Sequence, residues 1–163
     1  MKVHAISREA GFTLVELMVA VAIISIAVGL AMPYYSEWQA QSKLRQATSE
    51  IATQLTLARM AAMNRNRSVD VTVQSSGGTV HVSAVTSSSG ASVIKDTPLQ
   101  AGGSSVVGSP ITVSFSSMGS RTSGGTGVQE IGICDTYKRQ YAVTVIPTGK
   151  VNWSTNASAT PCP

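Results

Sequence analysis

The hydrophobic pattern of this 163-residue chain changes period twice. Residues 12–32 form a nearly unbroken apolar run. At about 1.5 Å per residue, its 21 residues reach about 31 Å as a helix, close to the roughly 30 Å of a bilayer's hydrocarbon core. A helix buried inside a soluble domain seldom runs this far without polar positions. From residue 34 to 66 the pattern becomes helical and two-sided. Apolar or small residues recur at Trp38, Leu44, Ala47, Ile51, Leu55, Ala58 and Ala62, while Gln41, Lys43, Arg45, Glu50 and Gln54 fill much of the rest. This predicts an amphipathic helix ending near Asn64-Arg65-Asn66-Arg67, where cations suit the negative end of the helix dipole. That is the expected reason for Arg65 and Arg67.

Beyond Ser68 the period shortens to two. Val, Thr and Ser dominate, and Gly punctuates. Strands are predicted at 69–73, 80–85, 111–115, 130–133, 141–145 and 151–153, several of them separated by Gly-Gly or Ser-Gly turns. Ile111, Val113 and Phe115 alternate, so one face of their strand should point inward and cover the apolar stripe of the helix. The Ser/Thr/Gly-rich stretches 75–78, 87–90 and 116–127 read as loops. The expectation is an α+β chain in which one long N-terminal helix packs on a C-terminal antiparallel β-sheet domain.

Pro33 follows the apolar run. It has no N–H to give the carbonyl of Gly29, and Gly29 is itself a weak helix former. Gly29 and Pro33 therefore predict a kink rather than a helix end, because the helical pattern resumes at once.

Glu16 is the one charge in the apolar run. A charge at the centre of a membrane helix costs about 2.5–3.5 kcal/mol on insertion scales, and less near the end. Such a residue needs a partner or a task. The segment ahead of it is short and polar, with Lys2, Arg8 and Glu9, and lacks the apolar core of a secretory signal. Lys2 and Arg8 favour an N-terminus on the cytoplasmic side.

Taken together, Gly11-Phe12-Thr13-Leu14-Val15-Glu16, the apolar run and Pro33 resemble the class III signal of type IV pilins and type II secretion pseudopilins. The resemblance implies a leader over residues 1–11, removed by a prepilin peptidase after Gly11, with N-methylation of Phe12. It further implies a membrane and assembly helix over 12–33, an amphipathic helix over 34–67 and a β-rich domain over 68–163. The carboxylate of Glu16 would neutralise the Phe12 α-amine of a neighbouring subunit.

Later segments narrow the resemblance. Leu57-Ala58-Arg59 with Ala61-Ala62, Val113-Ser114-Phe115 followed by Gly119, Ile131-Gly132-Ile133-Cys134-Asp135, and Thr148-Gly149-Lys150-Val151 are similar to minor pilins of the GspH/FimT type. Residues 74–110 add nothing to that likeness.

Residues 34–163 carry ten Lys/Arg and six Asp/Glu, a mildly basic balance that permits anionic partners without requiring one. Cys134 and Cys162 lie in the part expected outside the cytoplasm, where one disulfide tying the tail to a strand is the simplest reading. A metal site is not expected, because His81 is the sole histidine beyond the leader and only two thiols exist. An enzyme is not expected either: no Gly-x-Ser-x-Gly motif or nucleophile–base pair is visible, and no cofactor is implied.

The resemblance therefore implies a minor pilin or pseudopilin. Its partners would be other pilin subunits, the peptidase, an inner-membrane assembly platform and the membrane itself, with the β-domain periplasmic before incorporation into a filament. A major pilin is less favoured, and the sequence does not separate a type IV pilus from a type II secretion pseudopilus. The alternative is a DNA-binding minor pilin, with Arg65, Arg67, Arg121, Lys138 and Arg139 as candidate contacts. It is not favoured over a set of solvated loops. The C-terminal Gly-Arg-x-Arg element of DNA-binding members is missing here, and stacking aromatics beside cations are limited to Tyr137 and Tyr141.

Overall fold

The computed structural model describes residues 11–99, 103–155 and 162. The leader residues 1–10 and most of the tail beyond Thr155 lie outside the described residues. The chain divides into two compact units, one ending at Ser36 and one beginning at Glu37.

A single α-helix, α1, runs Leu14–Asn64 without interruption at Pro33. The one long helix expected from the sequence, an apolar part continuing into an amphipathic part, is thus a single element. Its C-terminal part supplies the core of the second unit through Leu44, Ala47, Thr48, Ile51, Leu55, Ala58 and Ala62, all buried. Their three- and four-residue spacing keeps them in one stripe. Thr48 is tolerated there because its hydroxyl donates to the Leu44 carbonyl at 2.8 Å. Trp38, expected on this stripe, is instead exposed, and the first buried residue of the stripe is Leu44.

α1 ends in a Schellman arrangement. Asn66 takes a left-handed conformation with φ 49°. Its N–H donates to the Met63 carbonyl at 3.2 Å, and that of Arg67 donates to the Ala62 carbonyl at 3.1 Å. Asn is the usual substitute for Gly at this position, so Asn66 is the sequence-level signal for the helix end.

Eight strands follow: β1 (Val69–Ser76), β2 (Thr79–Thr86), β3 (Ser92–Leu99), β4 (Ser105–Val106), β5 (Ile111–Phe115), β6 (Gln129–Cys134), β7 (Gln140–Val145) and β8 (Val151–Ser154). They form two four-stranded sheets rather than one, in the orders β3-β2-β1-β5 and β4-β6-β7-β8. All pairings are antiparallel. Val69, Val71, Val73, Val80, Val82, Val113 and Phe115 of the first sheet, and Ile131, Ile133, Val143 and Val145 of the second, join the helix stripe in one core. Fully burying a side chain of this size stabilises by about 1.5–3 kcal/mol relative to leaving it exposed.

β3 and β4 go beyond the six strands that the pattern predicts. The stretch 116–127, expected as a loop, is held down along its length. It pairs with the outer edge of β5, where Thr122 N–H donates to the Ser114 carbonyl at 2.8 Å and Phe115 forms a bridge with Arg121.

Candidate functional site

In the first unit, every described residue from Gly11 to Ser36 is exposed. Phe12 is 79% exposed and Leu30 71%. By length and composition this part of α1 is sufficient to cross a membrane. Two of its polar groups bond back to the helix. Ser25 donates to the Val21 carbonyl and Ser36 to the Pro33 carbonyl, each at 2.8 Å, so both hydroxyls are satisfied within the helix. Thr13 starts the helix: its side-chain oxygen accepts from the Glu16 N–H at 3.2 Å. Thr13-Leu14-Val15-Glu16 thus follows the capping-box pattern, in which Thr is the N-cap and Glu sits three residues on. That spacing is a signal in the sequence itself, though the charge of Glu16 alone does not point to it. Glu16 therefore stands in the first turn of an otherwise apolar, uncovered helix, four residues after Phe12.

The second unit brings together segments that are far apart in sequence. Arg59 of α1 donates through Nε to the Gly119 carbonyl at 2.8 Å and through Nη2 to the Thr148 carbonyl at 3.1 Å. Gly119 and Gly149 both adopt positive φ, 77° and 81°. A Cβ on Gly149 would run into the Gly119 carbonyl oxygen, so only Gly allows the two turns to meet under Arg59. Three of the motif segments that carried the family likeness converge at this knot.

A second junction surrounds the disulfide. Cys134 at the end of β6 is bonded to Cys162, with Cα atoms 5.8 Å apart. In the following turn the Asp135 carboxylate accepts from the N–H groups of Tyr137 and Arg139 at 2.9 and 2.8 Å. It also accepts from Arg139 Nε at 2.9 Å. The same guanidinium donates to the Glu37 carbonyl at 2.9 Å, lies 3.5 Å from the Glu37 carboxylate, and stacks 5.1 Å from the centre of the Tyr137 ring. Arg139 thus ties the β6–β7 turn to the first helical turn of its unit.

These contacts correct the set of candidate DNA-contacting cations. Arg121 is buried at 6% exposure. It donates to the carbonyls of Ser123, Gly125 and Gly127 and to the side chain of Gln129. It organises the 123–127 loop and presents no charge outward. Arg139 is occupied by Asp135 and Glu37. Arg65, Arg67 and Lys138 remain exposed, but Lys138 belongs to the β6–β7 turn, remote in sequence from the other two. His81 of β2 lies 3.3 Å from Asp96 of β3 as a cross-strand pair. Among the described residues no group of three or more His, Cys, Asp or Glu could hold a metal ion.

An exposed apolar N-terminal helix continuing into the core beneath antiparallel sheets is the architecture of the type IV pilin fold. The Pseudomonas aeruginosa type IV minor pilin FimU superimposes with a TM-score of 0.60 at 13% identity, covering 77% of this chain and 98% of that one. The sequence profile of the family described as Type II transport protein GspH matches residues 47–149, and that of the prokaryotic N-terminal methylation motif matches residues 6–32. The chain belongs to the GspH family of pilin-like proteins. Similar curated proteins include a fimbrial protein of P. aeruginosa, 40% identical over 55 residues, which are 34% of this chain and 36% of that protein. Another is the type IV major pilin protein PilA of Myxococcus xanthus, 36% identical over 63 residues, which are 39% of this chain and 29% of PilA. The chain thus spans about a third of the length of the curated relatives it matches.

Proposed function

We propose that this chain is a minor pilin or pseudopilin, a structural subunit that waits in the inner membrane and is then drawn into a type IV pilus or a type II secretion pseudopilus. The observation that carries this reading is the uncovered apolar half of α1 with one carboxylate, Glu16, in its first turn. The helix needs lipid or neighbouring helices around it. Because helices gain no hydrophobic energy on leaving lipid for a bundle, packing and polar pairing must drive assembly. A carboxylate and an α-amine offset one another's desolvation where each alone would be costly, which is the proposed role of Glu16 toward the Phe12 amine of a neighbour.

The reading requires a prepilin peptidase to cut after Gly11 and an N-methyl group on Phe12. It requires a cytoplasmic leader, a periplasmic β-domain and an inner-membrane platform for assembly. Gly29 and Pro33 are proposed as a soft spot in α1, which amide exchange in micelles would reveal as faster exchange between residues 30 and 37 than in either flank. The decisive experiment is mass spectrometry of sheared filaments. Phe12 should be the first residue and should carry one methyl group; subunits that begin at Met1 would refute the proposal. The DNA-binding alternative is disfavoured, because two of its five cations are committed to internal contacts.

A further inference from the structure

A shallow, open depression of about 350 Å³ lies where α1 hands over to β1, lined by Asn66, Arg67, Ser68, Ser87, Ser88 and Ser117, all solvent-exposed but the half-buried Ser117. Three segments build it. The Schellman turn at Asn66 throws Arg67 and Ser68 out of the helix. The β2–β3 turn supplies Ser87 and Ser88, fixed by the Ser87 N–H donating to the Ser68 carbonyl at 3.0 Å. The turn after β5 supplies Ser117. Every polar side chain in the lining can donate a hydrogen bond, one of them is a guanidinium, and none is a carboxylate. Among the described residues, none of these six side chains has a hydrogen-bond or ion-pair partner.

Arg65, close by at the end of α1 and exposed, is equally unpaired among the described residues. The only acid in the adjoining segments is Asp70, which lies on the opposite side of β1 from the buried Val69 and Val71 and does not line the pocket. The carbonyls of Ala61, Ala62 and Met63 accept from main-chain N–H groups and neither guanidinium bonds to one, so a favourable place at the negative end of the helix still leaves both guanidinium groups without a partner among the described residues.

We propose that this pocket is an oxyanion site that takes a phosphate or sulfate group. A tetrahedral oxyanion is acceptor-only. It would meet the Arg67 fork in a charge-assisted pair and the serine hydroxyls as neutral donors. Arg65 would add long-range attraction, and would also contact a second charge if the group is carried on a chain.

The test uses the full-length protein in neutral detergent micelles at fixed ionic strength. Inorganic phosphate and sulfate are titrated against a chloride control and followed by amide chemical shifts. Saturable shifts at Arg67, Ser88 and Ser117 are expected with phosphate and sulfate but not with chloride. Arg67→Gln should weaken binding about tenfold, the order expected for one lost charge-assisted bond. Ser117→Ala should weaken it less, and neither change should alter the thermal midpoint or filament incorporation. A twelve-residue single-stranded oligonucleotide separates the two sources of the group. Tighter binding than inorganic phosphate, lost in Arg65→Gln, assigns a polymer-borne phosphate; equal or weaker binding assigns the free ion. Shifts that chloride reproduces, that fail to saturate, or that saturate at the same ligand concentration in Arg67→Gln as in the wild type overturn the site.

Discussion

Two separate demands fall on Glu16. Three residues after the Thr13 cap, whose oxygen accepts from the Glu16 main-chain N–H, it stands at the position where a capping-box side chain helps start a helix. As the one carboxylate on an exposed apolar helix, it is suited to receive a neighbour's α-amine. Substitution separates these demands. Both Glu16→Gln and Glu16→Val keep the main-chain N–H that Thr13 receives; Gln also keeps a side chain able to complete the capping box while losing the charge, whereas Val loses both. Both variants should be processed and membrane-bound, and both should enter sheared filaments at least about tenfold less than wild type, since an unpaired ammonium costs well over the 1.4 kcal/mol that a factor of ten represents. Wild-type incorporation of Glu16→Gln would assign the residue to helix initiation alone. Arg121 shows the opposite case, a cation whose position in a Gly/Ser-rich stretch suggested exposure. The carbonyls of Ser123, Gly125 and Gly127 converge on it, a non-local fact that no spacing reveals. Arg121→Ala should lower unfolding stability by about 1–3 kcal/mol in a denaturant melt, the loss of its charge-assisted hydrogen bonds to the loop carbonyls. Arg121→Lys should recover little, because an ammonium lacks the planar fork. A midpoint unchanged in both would show that the loop holds itself.

At the scale of elements, α1 was legible because its two periods are strong and long, and six of the strands because Val and Thr alternate between Gly-marked turns. β3 was hidden for a physical reason. Lys95, Asp96 and Pro98 lower its strand propensity, yet such residues suit a strand at the edge of a sheet, where they discourage pairing with another chain. β4, with two residues, is too short to carry a period. The split into two sheets follows from partner choice among strands, which local pattern does not encode. Trp38 was misplaced because helical spacing gives a face but not the point at which a partner surface begins. The disulfide was legible because Cys134 and Cys162 had no other thiol to pair with. It closes a span of 28 residues around β7 and β8, which on the chain-entropy model stabilises the fold by about 3–4 kcal/mol. Non-reducing peptide mapping should find the one bridge. Cys162→Ser should lower the thermal midpoint and speed amide exchange in the Asp135–Arg139 turn before the rest of β6 and β7. Unchanged exchange in that turn would mean that Asp135 and Arg139 hold it without the covalent tie.

The whole molecule joins a unit with no buried residue among those described to a unit that holds the entire core. All buried hydrophobic residues among those described fall between Leu44 and Val145. The Arg139 contacts that tie the β6–β7 turn to the helix need nothing before Glu37. A chain starting at Glu37 therefore retains the sources of its own stability, from the helix stripe through both sheets to the disulfide. It sheds the exposed apolar surface that would otherwise draw it into micelles or aggregates. We predict that this truncated chain folds in plain buffer as a monomer, unfolds in one cooperative transition, and contains the Cys134–Cys162 bridge. Amide exchange should protect the stripe from Leu44 onward, while residues 37–43 fray apart from the turn held by Arg139. The same chain expressed in the periplasm should be absent from filaments, because packing and pairing along the missing helix are what draw a subunit in. Light scattering, thermal melting and filament shearing test the three parts together. A truncated chain that is molten or aggregated would mean that the first unit contributes to folding as well as to assembly. One that is folded and yet incorporated would move the assembly contacts from α1 to the β-domain.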